Sequence, residues 1–184
     1  AKIGGDREKI ANDLLRYLDT DTLLVFSPRH EYEGALRESQ DAFYIPIIKS
    51  VEGFLKKYAS SEIKLRILDS DVNGLRGNNQ EKNTIDAAKR YLDTLSLWNL
   101  AVFEKTVLTT KSFICGILML QNKASLDTVT ALEVDMEKIV KAATLETIHQ
   151  VERWGEVEDT HDVDKRDVRR NIHAAGIVAY NERA

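Results

Sequence analysis

An acidic stretch near the end of the chain holds the side chains best suited to chemistry. Between Glu156 and Asp164 there are five carboxylates, one imidazole and neither lysine nor arginine. Glu158, His161 and Asp162 are adequate ligands for a metal ion, which leaves a metal-dependent enzyme open as one alternative. Their spacing, however, matches no metal motif such as H-E-x-x-H. Part of this acidity also has a structural explanation, because carboxylates are stabilised at the N-terminus of a helix.

The residues just before this stretch favour an interaction site over catalysis. Trp154 and Gly155 are followed by Glu156, Glu158 and Asp159, in what the sequence predicts to be a turn between two long helices. Binding residues are often found on such connecting segments. A large aromatic side chain beside carboxylates can anchor a basic partner surface through apolar contact and charge-assisted hydrogen bonds.

Other catalytic chemistry has little support in the sequence. Cys115 is surrounded by apolar residues, so we expect a buried thiol whose pKa is raised by desolvation. The glycines at 74 and 77 lack the Lys-Ser/Thr of a phosphate-binding P-loop, and no G-x-S-x-G elbow occurs. We therefore expect neither a nucleophilic enzyme nor a bound cofactor.

The composition excludes several classes of protein. The chain has 184 residues, a net charge of −4 and 43% hydrophobic residues, which describes one ordinary globular domain. An acidic balance argues against nucleic-acid binding, and one cysteine excludes an intramolecular disulfide. The longest apolar run, 113–120, is far shorter than the roughly 20 residues of a membrane helix. We expect no nucleic-acid partner and no membrane insertion.

The elements that must position these residues are mainly helices. The chain has only nine glycines and two prolines, which is few for the many turns of an all-β fold. Residues 62–68 alternate and form the best strand candidate, 23–26 are either a strand or an extended connector, and 69–83 read as a loop. Apolar spacing predicts helices over 6–18, 33–58 with a break or kink near 44–45 before Pro46, 84–95, 96–120, 125–154 and 162–180.

These elements predict a mainly α fold, an orthogonal bundle of about six helices with at most one or two short strands. Ser125 and Asp162 are the expected N-caps of the last two helices, and Gly155 is the expected stop of the first of them. The run 174–176 permits close approach to a neighbouring helix. We expect residues 1–184 to form a single domain and a monomer, since no exposed apolar stripe remains once the core is filled.

Several segments together resemble a known family. The run 15–23, Leu-Arg-Tyr-Leu-Asp-Thr-Asp-Thr-Leu, and the pattern Trp154-Gly155-x-x-Glu158-x-x-His161-Asp162 resemble motifs of the mitochondrial assembly chaperones that attend the α subunit of the F₁-ATPase. Trp98 and the run 174–176 fit the same order. The resemblance extends from Arg7 to Tyr180, and the particular residues resemble those of fungal members.

The resemblance implies a role without catalysis in the mitochondrial matrix. Members of this family bind the unassembled α subunit and shield its β-facing surface until the β subunit displaces them. Their fold is a smaller N-terminal mixed region followed by a mainly helical domain. The present sequence resembles that helical C-terminal domain, and we expect the N-terminal region and a transit peptide to be absent from it.

The resemblance also implies which residues bind the partner. Glu158 is the residue most needed, framed by Trp154, His161 and Asp162 and accompanied by the neighbouring acids Glu156 and Asp159. A helical scaffold for some other complex remains the third alternative, beside the chaperone and the metal-dependent enzyme.

Overall fold

The computed structural model of the protein describes residues 6–74, 77–124, 135–155 and 161–181. Helices make up most of these residues, and two short strands pair in parallel, with Val25 opposite Leu68. The mainly α class is therefore confirmed. The described elements are α1 (Arg7–Leu15), β1 (Val25–Phe26), α2 (Ala35–Leu55), β2 (Leu68–Asp69), α3 (Ser70–Asn73), α4 (Lys82–Thr94), α5 (Leu97–Thr110), α6 (Phe113–Ala124), α7 (Met136–Trp154) and α8 (His161–Asn181).

The described residues thus contain eight α-helices, where the sequence predicts about six. One of the additional helices is the single turn α3, and another results from a division of one predicted helix into α5 and α6. The orthogonal arrangement stays a prediction. Single-turn 3-10 helices lie at Arg16–Leu18, Thr22–Leu24 and Lys56–Tyr58, and Glu31–Gly34 is a turn in which Tyr32 and Glu33 have positive φ.

The centre of the fold is α6, whose residues 113–120 are all buried. Apolar residues on every side are typical of a helix with neighbours all round. Helices α5, α7 and α8 pack against it, and one cluster of buried apolar side chains joins α1, α2 and α4–α8. In the described part of the chain, no helix combines the length and apolar character needed to cross a membrane.

Two glycines leave room for side chains of neighbouring helices. A Cβ atom at Gly116 would lie 2.7 Å from the ring of Phe103, so α5 and α6 meet at a position without a side chain. A Cβ atom at Gly176 would lie 1.7 Å from the terminal methyl group of Met136. Gly176 therefore leaves room for a methionine side chain, and the close backbone approach predicted for the run 174–176 stays a prediction.

The predicted helix over 96–120 is wrong, because the chain divides at Lys111. This residue has the left-handed φ of +55° that ends α5, and α6 begins at Phe113. Both new helix ends find partners in residues 21–22. The Thr22 hydroxyl donates to the carbonyl of Thr110 (2.9 Å), and the Asp21 carboxylate accepts the N–H of Ile114 (2.9 Å). These bonds satisfy groups that helix termini leave without an intrahelical partner.

Asp21 is a fully buried carboxylate. One of its oxygens accepts the Leu23 N–H at 2.9 Å, and the other accepts the Ile114 N–H. Burial raises the pKa of this carboxyl from 3.8 to about 6, although the hydrogen bonds from Ile114, Ser112 and Leu23 oppose the rise. The side chain therefore connects the start of α6 to the N-terminal part of the chain.

The pKa of Asp21 predicts an unusual pH dependence of stability. The folded-state pKa of about 6 exceeds the ordinary 3.8, so the folded state binds more protons between these values. The contribution of Asp21 to the free energy of unfolding is therefore greatest below about pH 4. It falls as the pH rises through the folded-state pKa and no longer changes at higher pH. From pH 7 to pH 5 the wild-type chain should gain about 1 kcal/mol relative to Asp21→Asn, which does not titrate. Urea unfolding of both proteins at the two pH values measures the change in the free energy of unfolding. An equal change in the wild type and in Asp21→Asn would contradict the prediction.

Of the break or kink predicted before Pro46, the break is absent from α2. The helix is one element from Ala35 to Leu55 with the proline inside it. Pro46 removes one backbone donor, but the buried residues Tyr44, Ile47 and Ile48 on either side hold both halves against the core. Tertiary packing therefore outweighs the local penalty.

The predicted strand over 62–68 is also wrong, although its alternation is real. Ile63 and Leu65 are buried while their neighbours are exposed. Side chains, and not a partner strand, accept from this backbone: the Leu65 N–H donates to Glu52 and the Arg66 N–H donates to Gln80, both at 2.8 Å. Only Leu68–Asp69 pairs with another strand. The loop predicted over 69–83 contains the turn α3 and the start of α4.

The last two helices begin elsewhere than predicted. Helix α7 starts at Met136, where the Asp135 side chain accepts the Lys138 N–H at 2.8 Å, and the predicted cap Ser125 lies outside the described residues. Helix α8 starts at His161, so Asp162 is inside its first turn and is not the cap. Gly155 is confirmed as a stop: its φ is +82° and its N–H donates to Val151.

A buried arginine fixes the chain before α2. Arg37 forms two hydrogen bonds with the carboxylate of Asp69, at 2.6 and 3.1 Å, and one with Asp41 at 3.1 Å. The guanidinium holds the pKa of Asp69 below its ordinary value. It also donates to the carbonyl of Ser27. The strand pair, the start of α2 and the segment that leads to residues 31–34 are thereby connected.

Candidate functional site

The candidate site is built at the C-terminal end of α7. The stop at Gly155 makes Trp154 the last residue of the helix, and 67% of its surface is exposed. An exposed tryptophan is available to a partner, whereas most large aromatic residues contribute to a core. Trp154 thus occupies the surface position that its sequence context suggests.

Trp154 lies beside a turn that the sequence analysis did not predict to be part of the site. The Tyr32 ring lies 5.4 Å from the Trp154 ring between centroids, and 6.4 Å from the imidazole of His149. Tyr32 belongs to the segment Glu31–Gly34, just before α2. The signal in the sequence is weak: an aromatic residue between two glutamates and before a glycine.

One polar contact joins α7 to this turn, and a second joins α7 to α2. The Arg153 guanidinium lies 3.7 Å from the Glu33 carboxylate, an exposed ion pair of small energetic value. The imidazole of His149 lies within hydrogen-bond distance of the Ser39 hydroxyl, at 3.0 Å, and 3.9 Å from Glu152. Helix α7 is thus tied to α2 close to Trp154.

The remaining predicted site residues are placed only in part. Glu156, Glu158 and Asp159 lie outside the described residues. His161 and Asp162 are the first two residues of α8, although their side chains lie outside the description. Of the six predicted partner-binding residues, Trp154 is therefore the one whose contacts are defined.

The described residues offer little for catalysis or metal binding. Cys115 is fully buried, and burial raises the pKa of its thiol to about 12, as the sequence predicts for a core residue. Within residues 6–74, 77–124, 135–155 and 161–181, no three histidine, cysteine or acidic residues are grouped to hold a metal ion. The metal alternative rests on Glu158, His161 and Asp162, whose side chains are outside this description.

Known proteins similar to this chain include two fungal relatives. Residues 2–52 match the family model described as the ATP12 chaperone protein. Over 184 residues, 99% of this chain, the sequence is 62% identical to the mitochondrial protein ATP12 of Saccharomyces cerevisiae. It is 32% identical over 174 residues, 95% of the chain, to the mitochondrial protein atp12 of Schizosaccharomyces pombe. The chain spans 57% and 54% of the lengths of these two relatives.

The fold has a counterpart among solved structures. The crystal structure of Atp12 from Paracoccus denitrificans superposes with a TM-score of 0.77, at 17% sequence identity, over 98% of this chain and 67% of the other. At 17% identity this match shows a shared fold, whereas the similarity to the fungal relatives indicates the family. Taken together, these similarities show that the chain belongs to the ATP12 chaperone family.

Proposed function

We propose that this chain acts in the assembly of mitochondrial ATP synthase as a chaperone for the α subunit of F₁-ATPase. It binds the unassembled α subunit in the matrix, as a monomer, and shields the surface that the β subunit later covers. It has no catalytic step and needs no cofactor. The observation that carries this proposal is the 62% identity over 99% of the chain to a mitochondrial ATP12 protein.

The surface around Trp154 supports a role in partner binding. Its exposed indole and the exposed carboxylate of Glu152 lie at the same end of α7, a combination suited to a basic surface with an apolar component. The proposed binding surface consists of the end of α7, the residues that follow it and the first turn of α8. Its members are Trp154, Glu156, Glu158, Asp159, His161 and Asp162.

The test is selective capture of the α subunit. The immobilised chain is incubated with unassembled α subunit and, separately, with β subunit at the same concentration and ionic strength. We expect retention of α well above that of β, because the chain is proposed to bind the side of α that β later covers. Retention of neither subunit, or of both equally, would contradict the proposal.

A further inference from the structure

The turn at residues 31–34 adopts a backbone conformation that needs an explanation. Tyr32, Glu33 and Gly34 have successive φ angles of +50°, +56° and +86°. Side chains with a Cβ atom avoid this left-handed region, and aromatic residues gain nothing locally from it. Lys111 is the other described non-glycine residue with positive φ, and it divides two helices. Strained backbone of this kind persists where the surroundings fix it and is frequent at functional sites.

Core packing explains the strained turn only in part. Tyr32 packs against the core while it stays partly exposed, and the buried residues Leu36 and Arg37, which follow the turn, belong to α2. The side chain of Glu33 is 88% exposed and Tyr32 is only half-buried. What the conformation does achieve is to bring the Tyr32 ring to Trp154 and the Glu33 carboxylate to Arg153.

The resulting surface has a definite chemistry. Two aromatic rings meet at a centroid distance of 5.4 Å, and the indole is mostly exposed. Both elements also carry an exposed carboxylate. Glu33 on the turn lies 3.7 Å from Arg153, and Glu152 on α7 lies 3.9 Å from His149. Tryptophan is the best aromatic partner for a cation. A guanidinium can stack on such rings and bond a carboxylate with two N–H groups, whereas a lysine ammonium is a compact point charge.

We propose that the turn carrying Tyr32 and Glu33 forms one half of the partner-binding surface, opposite Trp154, and that the group bound there is the guanidinium of an arginine side chain on the partner. The inference rests on the proposed function for the identity of that partner, the F₁ α subunit. It adds to that function a second binding element, far from the acidic stretch in sequence, and a chemical class of ligand.

The first experiment separates the ring from the backbone strain. Tyr32→Asn removes the ring, and asparagine tolerates the left-handed region. We expect its thermal midpoint to equal or exceed that of the wild type, while capture of the α subunit falls about tenfold, as for a central interface residue. The matched control is Tyr180→Asn, since Tyr180 is an exposed tyrosine near the end of α8. The control should capture the α subunit normally.

The second experiment tests the ligand class without the α subunit. Trp98→Phe leaves Trp154 as the one indole of the chain, so its emission reports on the site. A hexapeptide with two arginines should change that emission, and the same peptide with two citrullines, which are neutral and of equal shape, should not. Tyr32→Asn in the same background should abolish the response.

The outcomes distinguish this inference from the proposed function. If the wild type captures the α subunit and Tyr32→Asn captures it equally well, the turn is not part of the surface and the proposed function stands. If both peptides change the emission equally, the arginine assignment is wrong. If the wild type captures no α subunit, the proposed function fails, and the peptide response still decides whether the ring pair binds a guanidinium.

Discussion

Glu158→Lys is expected to abolish capture of the α subunit while the protein stays folded. Glu158 belongs to the acidic stretch between the end of α7 and the start of α8. A lysine there replaces attraction for a basic partner by repulsion, and like charges across an interface cost several kcal/mol. The same change on a surface residue alters folding stability by only about 0.5 kcal/mol. Capture assays, circular dichroism and thermal unfolding of the variant measure both parts.

An exposed acid elsewhere supplies the control for this charge reversal. Glu8→Lys, in the first turn of α1, changes the net charge by the same amount at an exposed residue far away in the sequence. It should capture the α subunit as well as the wild type does at physiological ionic strength. A large loss of thermal stability in Glu158→Lys would instead make Glu158 a structural residue, and undiminished capture would remove it from the binding surface.

Asp21→Ala should produce a large loss of stability at a residue outside the proposed binding surface. The substitution leaves the N–H groups of Leu23 and Ile114 buried without their acceptors, and each such group costs about 1–3 kcal/mol. Removal of the carboxylate also removes the cost of burying its charge, which offsets part of this loss of stability. We expect a net loss of about 3 kcal/mol, which lowers the thermal midpoint of a chain of this size by about 10 °C. Urea and thermal unfolding measure it.

The control for Asp21→Ala is an aspartate that caps a helix locally. Asp135 accepts the Lys138 N–H at the exposed start of α7. Asp135→Ala should cost about 1 kcal/mol, the usual value of an N-cap. If the two variants are equally stable, the buried connection between Asp21 and α6 contributes no more than an ordinary cap. Capture by Asp21→Ala below its midpoint should remain normal, because the residue lies in the core.

Local sequence signals predict much of the fold. The helix at α4 follows from apolar spacing, and the end of α7 follows from the glycine at 155, whose positive φ is accessible without strain. The burial of Cys115 follows from its apolar neighbours. Each of these features is decided within one or two helical turns of the residue concerned, so a sequence pattern suffices.

The features that the sequence does not reveal depend on distant partners. Lys111 ends a helix because Asp21 and Thr22 stabilise the two new ends, and their hydrogen bonds join residues 93 and 88 positions apart. Residues 62–68 alternate as a strand does, yet side chains such as Glu52 replace the partner strand. A single sequence contains the residues but not their juxtaposition.

The candidate site divides in the same way. The exposure of Trp154 could be predicted, because a helix end beside glycine and acids is a surface position. Tyr32 could not, since its contact with Trp154 requires α2 and α7 to be packed and the turn to adopt three left-handed residues. The glutamates on either side of Tyr32 are typical of any solvent-exposed turn, so they do not indicate a binding site.

The division at Lys111 also has a consequence for the order of folding. Residues 97–124 have the apolar content of one long helix, and the bonds that divide it come from residues 21–22. Until that loop of about ninety residues closes, a continuous helix competes with the native pair α5 and α6. Contacts between such distant positions slow folding. We therefore expect the rate-limiting step to be the docking of the Asp21-Thr22 segment, with α1 and α4 forming earlier from local contacts.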